Sequence, residues 1–227
     1  MKYRSIAIDG PSGAGKSTLA KLAAEHYGFV YLDTGAMYRC VGLYAIRKNV
    51  PSKDEGAVSA LLPEINIEIE RTQDGAQRMI LNGEDVSSAI RSPEASIYAS
   101  DVSAMPSVRA FLLGMQQDFA KNHNVIMDGR DIGTVVLPDA DVKIFLTAKP
   151  EVRAKRRYDE LIARGENVTE DEVLRDILYR DRNDSTRAFA PLRRAEDASE
   201  ADTTELDLNE SFALIREIID DGLKEKN

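Results

Sequence analysis

The segment that most constrains this chain is Gly10–Ser17, which reads GPSGAGKS and matches the pattern G-x-x-x-x-G-K-[ST] in full. In this pattern backbone N–H groups cradle phosphates, the lysine reaches the outer phosphates, and the hydroxyl can bind Mg²⁺. A strand over residues 4–9 is predicted to lead into the loop, and a helix over 16–27 to leave it, with Gly28 as its C-terminal stop. This context favours a polyphosphate site over a glycine turn that binds nothing.

The composition is that of an ordinary soluble globular protein. The 227 residues are 43% hydrophobic and 30% charged, enough for one large domain with a substantial core. No apolar run approaches the roughly 20 residues of a membrane span, and a strand at the very start leaves no room for a signal peptide. We therefore expect a cytoplasmic protein that does not bind membranes.

Cysteine and histidine offer little chemistry in this chain. The single cysteine, Cys40, excludes an internal disulfide and is expected to pack as a small apolar residue on a helix. The two histidines, His26 and His123, are far apart and lack the spacing of metal ligands. A zinc site is therefore not expected.

The charge is strongly acidic overall but locally basic. A net charge of −9 and a pI near 4.9 repel nucleic acid, which is not expected as a partner. Arginines are nevertheless concentrated between Arg153 and Arg194. Because arginine clamps phosphate in a fixed fork, this segment suggests a mobile cover over phosphates. A solvated helical face is the favoured interpretation for four of these residues: Arg164, Arg175, Arg193 and Arg194.

Alternating strands and helices predict a parallel α/β sheet covered on both faces. The predicted core strands are residues 4–9, 29–33, 125–128, 142–147 and about 199–204. Between the second and third of them, residues of about 63–91 show isoleucines in alternation and the turn dipeptides Asp74–Gly75 and Asn82–Gly83. That pattern predicts a small antiparallel β insert. The last helix is predicted to begin near Asp207, with Glu210 completing a capping box.

Two helices are predicted between residues 150 and 192. The first begins at Pro150, and the second opens with a T-x-x-E capping box at Thr169. Three charged residues would share one face if the second helix continues far enough: Arg180, Asp184 and Arg187. A phosphate-binding row and a structural salt-bridge row are equally compatible with this spacing.

Two further motifs follow predicted strands. The segment Asp33–Arg39 turns from a strand into a helix and presents the Thr34 hydroxyl and Arg39 near the helix N-terminus, which predicts an anion site. Asp128 ends an apolar strand and is placed like the second acidic residue of enzymes with this phosphate loop, which holds Mg²⁺. The alternative for Asp128 is a simple turn former at a strand end.

Taken together, these segments resemble bacterial-type cytidylate kinase. The resemblance extends in order over essentially the whole chain and is carried by Gly10–Ser17, Asp33–Arg39, Asp128–Val136, Arg180–Arg187 and Ala190–Leu192. It implies one P-loop kinase domain over residues 1–227 with a five-stranded parallel sheet, a nucleotide-monophosphate-binding β insert at about 63–91 and an arginine-rich helical lid at about 150–192. It also implies the transfer of a phosphoryl group from ATP to CMP or dCMP, giving CDP or dCDP, with Mg²⁺. Separately, we expect the protein to be a monomer.

The resemblance also assigns site residues. ATP is expected at Gly10, Ser12, Gly13, Ala14, Gly15, Lys16, Ser17 and Thr18, and Mg²⁺ at Ser17 and Asp128. CMP is expected at Thr34, Tyr38, Arg39, Ser100, Arg109, Arg130, Asp131, Arg180, Asp184 and Arg187, with Ser100, Arg109 and Asp131 around cytosine. Catalysis is expected from Lys16, Arg130, Arg180 and Arg187. A carboxylate beside an arginine complements the amino donor and the acceptors of cytosine, whereas uracil reverses that pattern.

Other functions share the phosphate loop. A GTPase is disfavoured because the guanine signature Asn-Lys-x-Asp does not occur in the chain. A nucleic-acid-dependent ATPase is disfavoured by the acidic charge and by the lack of a basic face with interleaved aromatic residues. The main alternative is another small-molecule kinase, for UMP, for AMP or for a non-nucleotide acceptor.

Overall fold

The computed structural model describes residues 3–71 and 77–225, which fall into two units. We call residues 3–31 and 120–225 the core unit and residues 32–119 the inserted unit. The helices are α1 (Lys16–Tyr27), α2 (Thr34–Arg47), α3 (Glu55–Leu61), α4 (Pro93–Val102), α5 (Pro106–Asn122), α6 (Pro150–Ala163), α7 (Glu170–Thr186) and α8 (Leu208–Glu225). The strands are β1 (Ser5–Asp9), β2 (Val30–Asp33), β3 (Ile67–Arg71), β4 (Gln77–Leu81), β5 (Glu84–Asp85), β6 (Val125–Gly129), β7 (Val142–Thr147) and β8 (Ser199–Asp202).

Five strands form the main sheet in the order β2-β6-β1-β7-β8. The pairs β1–β6, β1–β7 and β7–β8 are parallel, and the side chains of the central strands are buried, as is usual for a parallel sheet covered on both faces. The predicted five-stranded parallel α/β fold is confirmed. In the register of β1 and β6, Ile8 lies opposite Asp128, which brings the end of β6 beside the strand that leads into the phosphate loop.

The first helix follows the phosphate loop as predicted. It spans Lys16–Tyr27, and both Gly15 before it and Gly28 after it adopt left-handed backbone conformations. The first glycine of the loop is required by close packing, since a Cβ at Gly10 would lie 1.9 Å from the carbonyl oxygen of Leu146. Gly10 and Gly15 therefore allow the backbone conformation and the close packing of the phosphate loop.

The inserted unit contains the predicted antiparallel strands. β3 pairs with β4, and β4 pairs with β5, so that Ile67 lies opposite Leu81 and Ile69 opposite Met79. Asn82 and Gly83 both have positive φ, as an Asn-Gly hairpin turn requires. The predicted turn at Asp74–Gly75 lies outside the described residues. Apolar side chains of α2, α4 and α5 complete the core of this unit.

Helices α6 and α7 pack on each other in the core unit through Ala154, Leu161, Val173 and Ile177. The capping box at Thr169 is present, with both reciprocal hydrogen bonds formed. The same holds before α8, where Asp207 and Glu210 exchange hydrogen bonds. Helix α7 ends at Thr186, so Arg187 lies beyond the helix and does not share its face with Arg180 and Asp184.

Within residues 3–71 and 77–225, no helix combines the length and the hydropathy that crossing a membrane requires.

Candidate active site

Lys16 lies buried at the junction of the phosphate loop and α1. Its Nζ donates to the carbonyl oxygen of Pro11 at 2.7 Å, so the side chain curls over its own loop. Burial, helped by the nearby Arg130 cation, lowers the pKa of the Lys16 ammonium well below its ordinary value. Anionic phosphate beside Lys16 would stabilise its charged form.

Ser17 and Asp128 meet at the carboxyl end of the sheet. The Ser17 hydroxyl donates to Asp128 Oδ2 at 2.7 Å, and the Tyr31 hydroxyl donates to Oδ1 of the same carboxylate at 2.9 Å. A hydroxyl and a carboxylate are hard oxygen ligands, which suit Mg²⁺ when nucleotide phosphates and water supply the other ligands. Within the described part of the chain, no group of three or more His, Cys, Asp or Glu residues has the arrangement of a metal site of its own.

Arg130 follows directly after β6 and binds Asp184 on α7. Its Nε donates to Asp184 Oδ2 at 2.7 Å, and both side chains are mostly buried. Burial alone would raise the pKa of Asp184, but the Arg130 and Arg180 cations outweigh it and hold that pKa below its usual range. The Arg180 charge also acts on Lys16. Four charged residues predicted for the site are thus electrostatically connected in the core unit.

Asp131 and Arg187 form a second buried contact in the core unit. Arg187 Nη2 lies 3.4 Å from Asp131 Oδ1, and Arg187 Nε donates to the carbonyl oxygen of Ala190 at 2.6 Å. The extended segment after α7 therefore returns to the residue that follows Arg130. Arg187 reaches the predicted site residues even though it lies outside the helix.

Arg153 plays a different part from the one its place in the arginine-rich segment suggested. Its side chain is buried and donates to the carbonyl oxygens of Ala148 and Ser12, each at 2.8 Å. Its Nη2 lies 2.7 Å from Asp181 Oδ2 on α7. Arg153 thus ties the phosphate loop to α7, and the expectation of a mobile phosphate cover is wrong for it.

Arg156 is likewise bonded to the protein's own backbone, and the expectation of a phosphate cover is wrong for it too. Its Nη2 donates to the carbonyl oxygens of Thr203 at 2.7 Å and Leu206 at 3.3 Å. Two residues expected on a solvated face, Arg164 and Arg194, contact exposed carboxylates at Glu160 and Glu200. Their partners are those of ordinary surface ion pairs.

In the inserted unit, Asp33 organises the start of α2. Its carboxylate caps the helix by accepting from the Ala36 amide at 2.9 Å, and it contacts Arg91 at 2.9 Å and Arg39 at 3.8 Å. Burial opposes ionisation here, yet the two arginines keep the pKa of Asp33 below its ordinary value. Thr34, the first residue of α2, is buried. Sequence reasoning did not identify Arg91, which lies after β5 and belongs to no local motif.

The three other candidates of the inserted unit are buried on α2, α4 and α5. The Arg109 guanidinium lies 5.6 Å from the centre of the Tyr38 ring, within cation–π range, and its Nη1 donates to the carbonyl oxygen of Ser103 at 3.2 Å. Ser100 is buried one turn before Ser103, whose hydroxyl donates to the Ser100 carbonyl oxygen at 2.8 Å. Burying the charge of an arginine costs desolvation free energy, which a polar ligand beside it would offset.

Asp9 is a buried residue of the core unit that sequence reasoning missed. Its two carboxylate oxygens accept from the backbone amides of Ile132 and Gly133 at 2.8 and 2.7 Å. Burial raises the pKa of Asp9 to about 6, and the two amide hydrogen bonds partly offset this effect. No local pattern connects residues so distant in sequence, so only the fold reveals this contact.

Comparisons with known proteins identify relatives of this chain. The sequence profile of the cytidylate kinase family matches residues 6–221. The chain is 51% identical over 218 residues to the cytidylate kinase of Caldicellulosiruptor bescii, covering 96% of each chain. It is 49% identical over 214 residues to that of Carboxydothermus hydrogenoformans, covering 94% of this chain and 96% of the relative.

Among solved structures, an uncharacterized protein from Eubacterium ventriosum is similar with a TM-score of 0.53 and 15% sequence identity. The alignment covers 96% of this chain and 98% of that one. At this identity the likeness concerns the fold alone.

Proposed function

This chain belongs to the cytidylate kinase family, and we infer that it transfers the γ-phosphoryl group of ATP to CMP or dCMP, giving ADP and CDP or dCDP. Besides membership of this family, the observation that most directly supports the proposed function is the contact between Ser17 and Asp128 beside the buried Lys16. It combines a phosphate loop with an acidic strand end, as phosphoryl transfer requires.

We assign the donor nucleotide to the phosphate loop. Residues Gly10, Ser12, Gly13, Ala14, Gly15, Lys16, Ser17 and Thr18 surround the bend between β1 and α1, where backbone amides and the start of a helix favour phosphate. In this proposal Lys16 leaves the Pro11 carbonyl and binds the outer phosphates. Mg²⁺ bound to Ser17 and Asp128 would neutralise charge on the transferring phosphoryl group.

The acceptor phosphate needs no catalytic base. Its second pKa is near 6, so at neutral pH it is mostly a dianion and already nucleophilic. Catalysis then consists of alignment and charge neutralisation, which we assign to Lys16, Arg130, Arg180 and Arg187. The Arg130–Asp184 pair holds the guanidinium in place before the ligand arrives. Preorganised charge of this kind is effective because it does not have to be rearranged during the reaction.

The remaining candidates are assigned to CMP. Thr34, Arg39 and Arg130 bind its phosphate, Ser100, Arg109 and Asp131 read cytosine, and Arg180, Asp184 and Arg187 bind the ribose and close the lid. Tyr38 supports the Arg109 guanidinium with its ring. A carboxylate paired with arginines suits the amino group of cytosine and disfavours uracil.

We further propose that residues of about 63–91 act as the nucleotide-monophosphate insert and those of about 150–192 as the lid. Two features support this role for the lid: α7 carries Arg180 and Asp184, and the segment after it returns Arg187 to Asp131. Closure of such a segment excludes water that would otherwise hydrolyse ATP.

A coupled assay of ADP release tests the function directly. CMP, dCMP, UMP, AMP and shikimate are supplied in turn as acceptor with ATP and Mg²⁺. Rapid turnover is expected with CMP or dCMP and little with the others. Faster turnover with UMP than with CMP would remove the cytidylate assignment in favour of the alternative kinases.

A further inference from the structure

Asp9, the last residue of β1, holds the segment that begins with Asp131. Oδ1 of Asp9 accepts from the Ile132 amide at 2.8 Å, and Oδ2 accepts from the Gly133 amide at 2.7 Å. The side chain is buried, so water does not compete strongly for these bonds. One carboxylate thus fixes two consecutive peptide units directly after a residue assigned to the acceptor base.

These two amides open a short π-helical turn, Ile132–Val136, for which Asp131 is the N-cap residue. An aspartate at an N-cap ordinarily turns its carboxylate back onto the first amides of its own helix. Asp131 makes no such capping bond, and Asp9 satisfies the amides instead. The Asp131 carboxylate is directed elsewhere, and its Oδ1 lies 3.4 Å from Arg187 Nη2.

The packing around the contact is tight. A Cβ added at Gly133 would lie 3.4 Å from Asp9 Oδ2 and 3.1 Å from Cδ of Lys143. An added methyl group at this position would therefore press on the Lys143 side chain and would lie at ordinary contact distance from the Asp9 carboxylate. Single π-helical turns are rare and often occur at functional sites, where they place a side chain that an α-helix would not.

We propose that Asp9 is a positioning residue for acceptor specificity: it caps the turn in place of Asp131, so that the Asp131 carboxylate is directed away from its own turn and toward cytosine. The inference rests on the proposed function, in which Asp131 reads the base. It adds a residue outside the set assigned to nucleotide contact.

The first test is Asp9→Asn, a change of nearly identical shape. The amide group of asparagine presents one acceptor and one donor, so one of the two backbone amides loses its partner. We expect the KM for CMP to rise about tenfold, the size of one lost hydrogen bond to a charged group. The preference for CMP over UMP should fall with it, while the KM for ATP stays within about twofold.

Two further variants separate positioning from general damage. Gly133→Ala crowds the turn at the residue whose amide donates to Asp9 Oδ2 and leaves β1 untouched, so it should produce a divergence of the same sign between the KM values for CMP and ATP. Asp141→Asn is the matched control, because Asp141 Oδ2 accepts from the Ser5 amide at 2.8 Å at the other end of β1. That control should lower the melting temperature and leave both KM values unchanged.

The outcomes distinguish this inference from the proposed function. Equal changes in the KM values for ATP and CMP, or no change in either, would overturn the role of Asp9. Should Asp9→Asn fail to fold, Gly133→Ala decides by the same criterion. If the wild-type enzyme prefers a different nucleoside monophosphate, the proposed function fails, and the divergence measured with that acceptor against ATP still decides the role of Asp9.

Discussion

The Ser17 hydroxyl lies 2.7 Å from Asp128 Oδ2 and joins the end of the phosphate loop to the end of β6. If this pair binds Mg²⁺, Asp128→Asn should raise the Mg²⁺ concentration at half-maximal activity by about tenfold or more. The reason is that a neutral amide attracts the cation less than a carboxylate does. A magnesium titration at saturating ATP measures the effect. An unchanged half-saturation point would exclude Asp128 from the metal site.

Lys16→Ala should lower kcat by about a hundredfold or more, as expected for the loss of one preorganised electrostatic donor. Lys21→Ala is the matched control, because Lys21 lies exposed on the same helix with its Nζ over the Tyr31 ring. Steady-state kinetics of both variants at saturating CMP gives the comparison. A near-normal rate in Lys16→Ala would remove this lysine from the chemistry.

Arg153→Met should lower the free energy of unfolding by about 3 kcal/mol, because it leaves the partly buried carboxylate of Asp181 and two carbonyl oxygens without the buried guanidinium that donates to them. Arg157→Met serves as control, since Arg157 pairs with the half-exposed Glu160 and its loss should cost less than about 1 kcal/mol. Urea unfolding of both variants measures the difference. Equal losses would contradict a structural role specific to Arg153.

Cys40 should be inert in the folded protein. It is fully buried in the inserted unit, and burial raises the pKa of its thiol to about 12. Against an ordinary value of 9.0, its thiolate fraction at pH 8 is about a thousandfold smaller. A thiol-reactive disulfide reagent should label the protein at pH 8 only after unfolding in urea. Rapid labelling of the native protein would show that α2 opens readily.

Much of the fold could be predicted because its signals are local. The phosphate loop is contiguous, and the capping boxes at Thr169 and Asp207 need only residues three positions apart. Four of the five core strands stood out as short apolar runs, β8 being the exception, and the observed bounds of all five lie within two residues of the predicted ones. Such patterns depend on the backbone geometry of a single element.

The rest of the site depends on contacts between distant segments. Asp9 reaches Gly133, and Arg153 reaches Ser12, across more than a hundred residues in each case. Nothing near these residues in the sequence reveals their partners. From the sequence, Arg153 suggested phosphate binding and Asp9 was only the end of a strand. In the structure both side chains form hydrogen bonds with backbone groups of the protein itself. The end of α7 at Thr186 was equally hidden, because Arg187 has no helix-breaking neighbour.

The most direct test of the account is the ratio of kcat/KM for CMP to that for UMP, measured in the wild type and in Asp131→Asn. Asp131 is buried beside Arg187 and is assigned to the base. The wild type should prefer CMP by at least about a hundredfold, and the variant should lose about tenfold or more of that preference with little change in the KM for ATP. A wild type that uses UMP as well as CMP, or a ratio that Asp131→Asn leaves unchanged, would contradict the assignment.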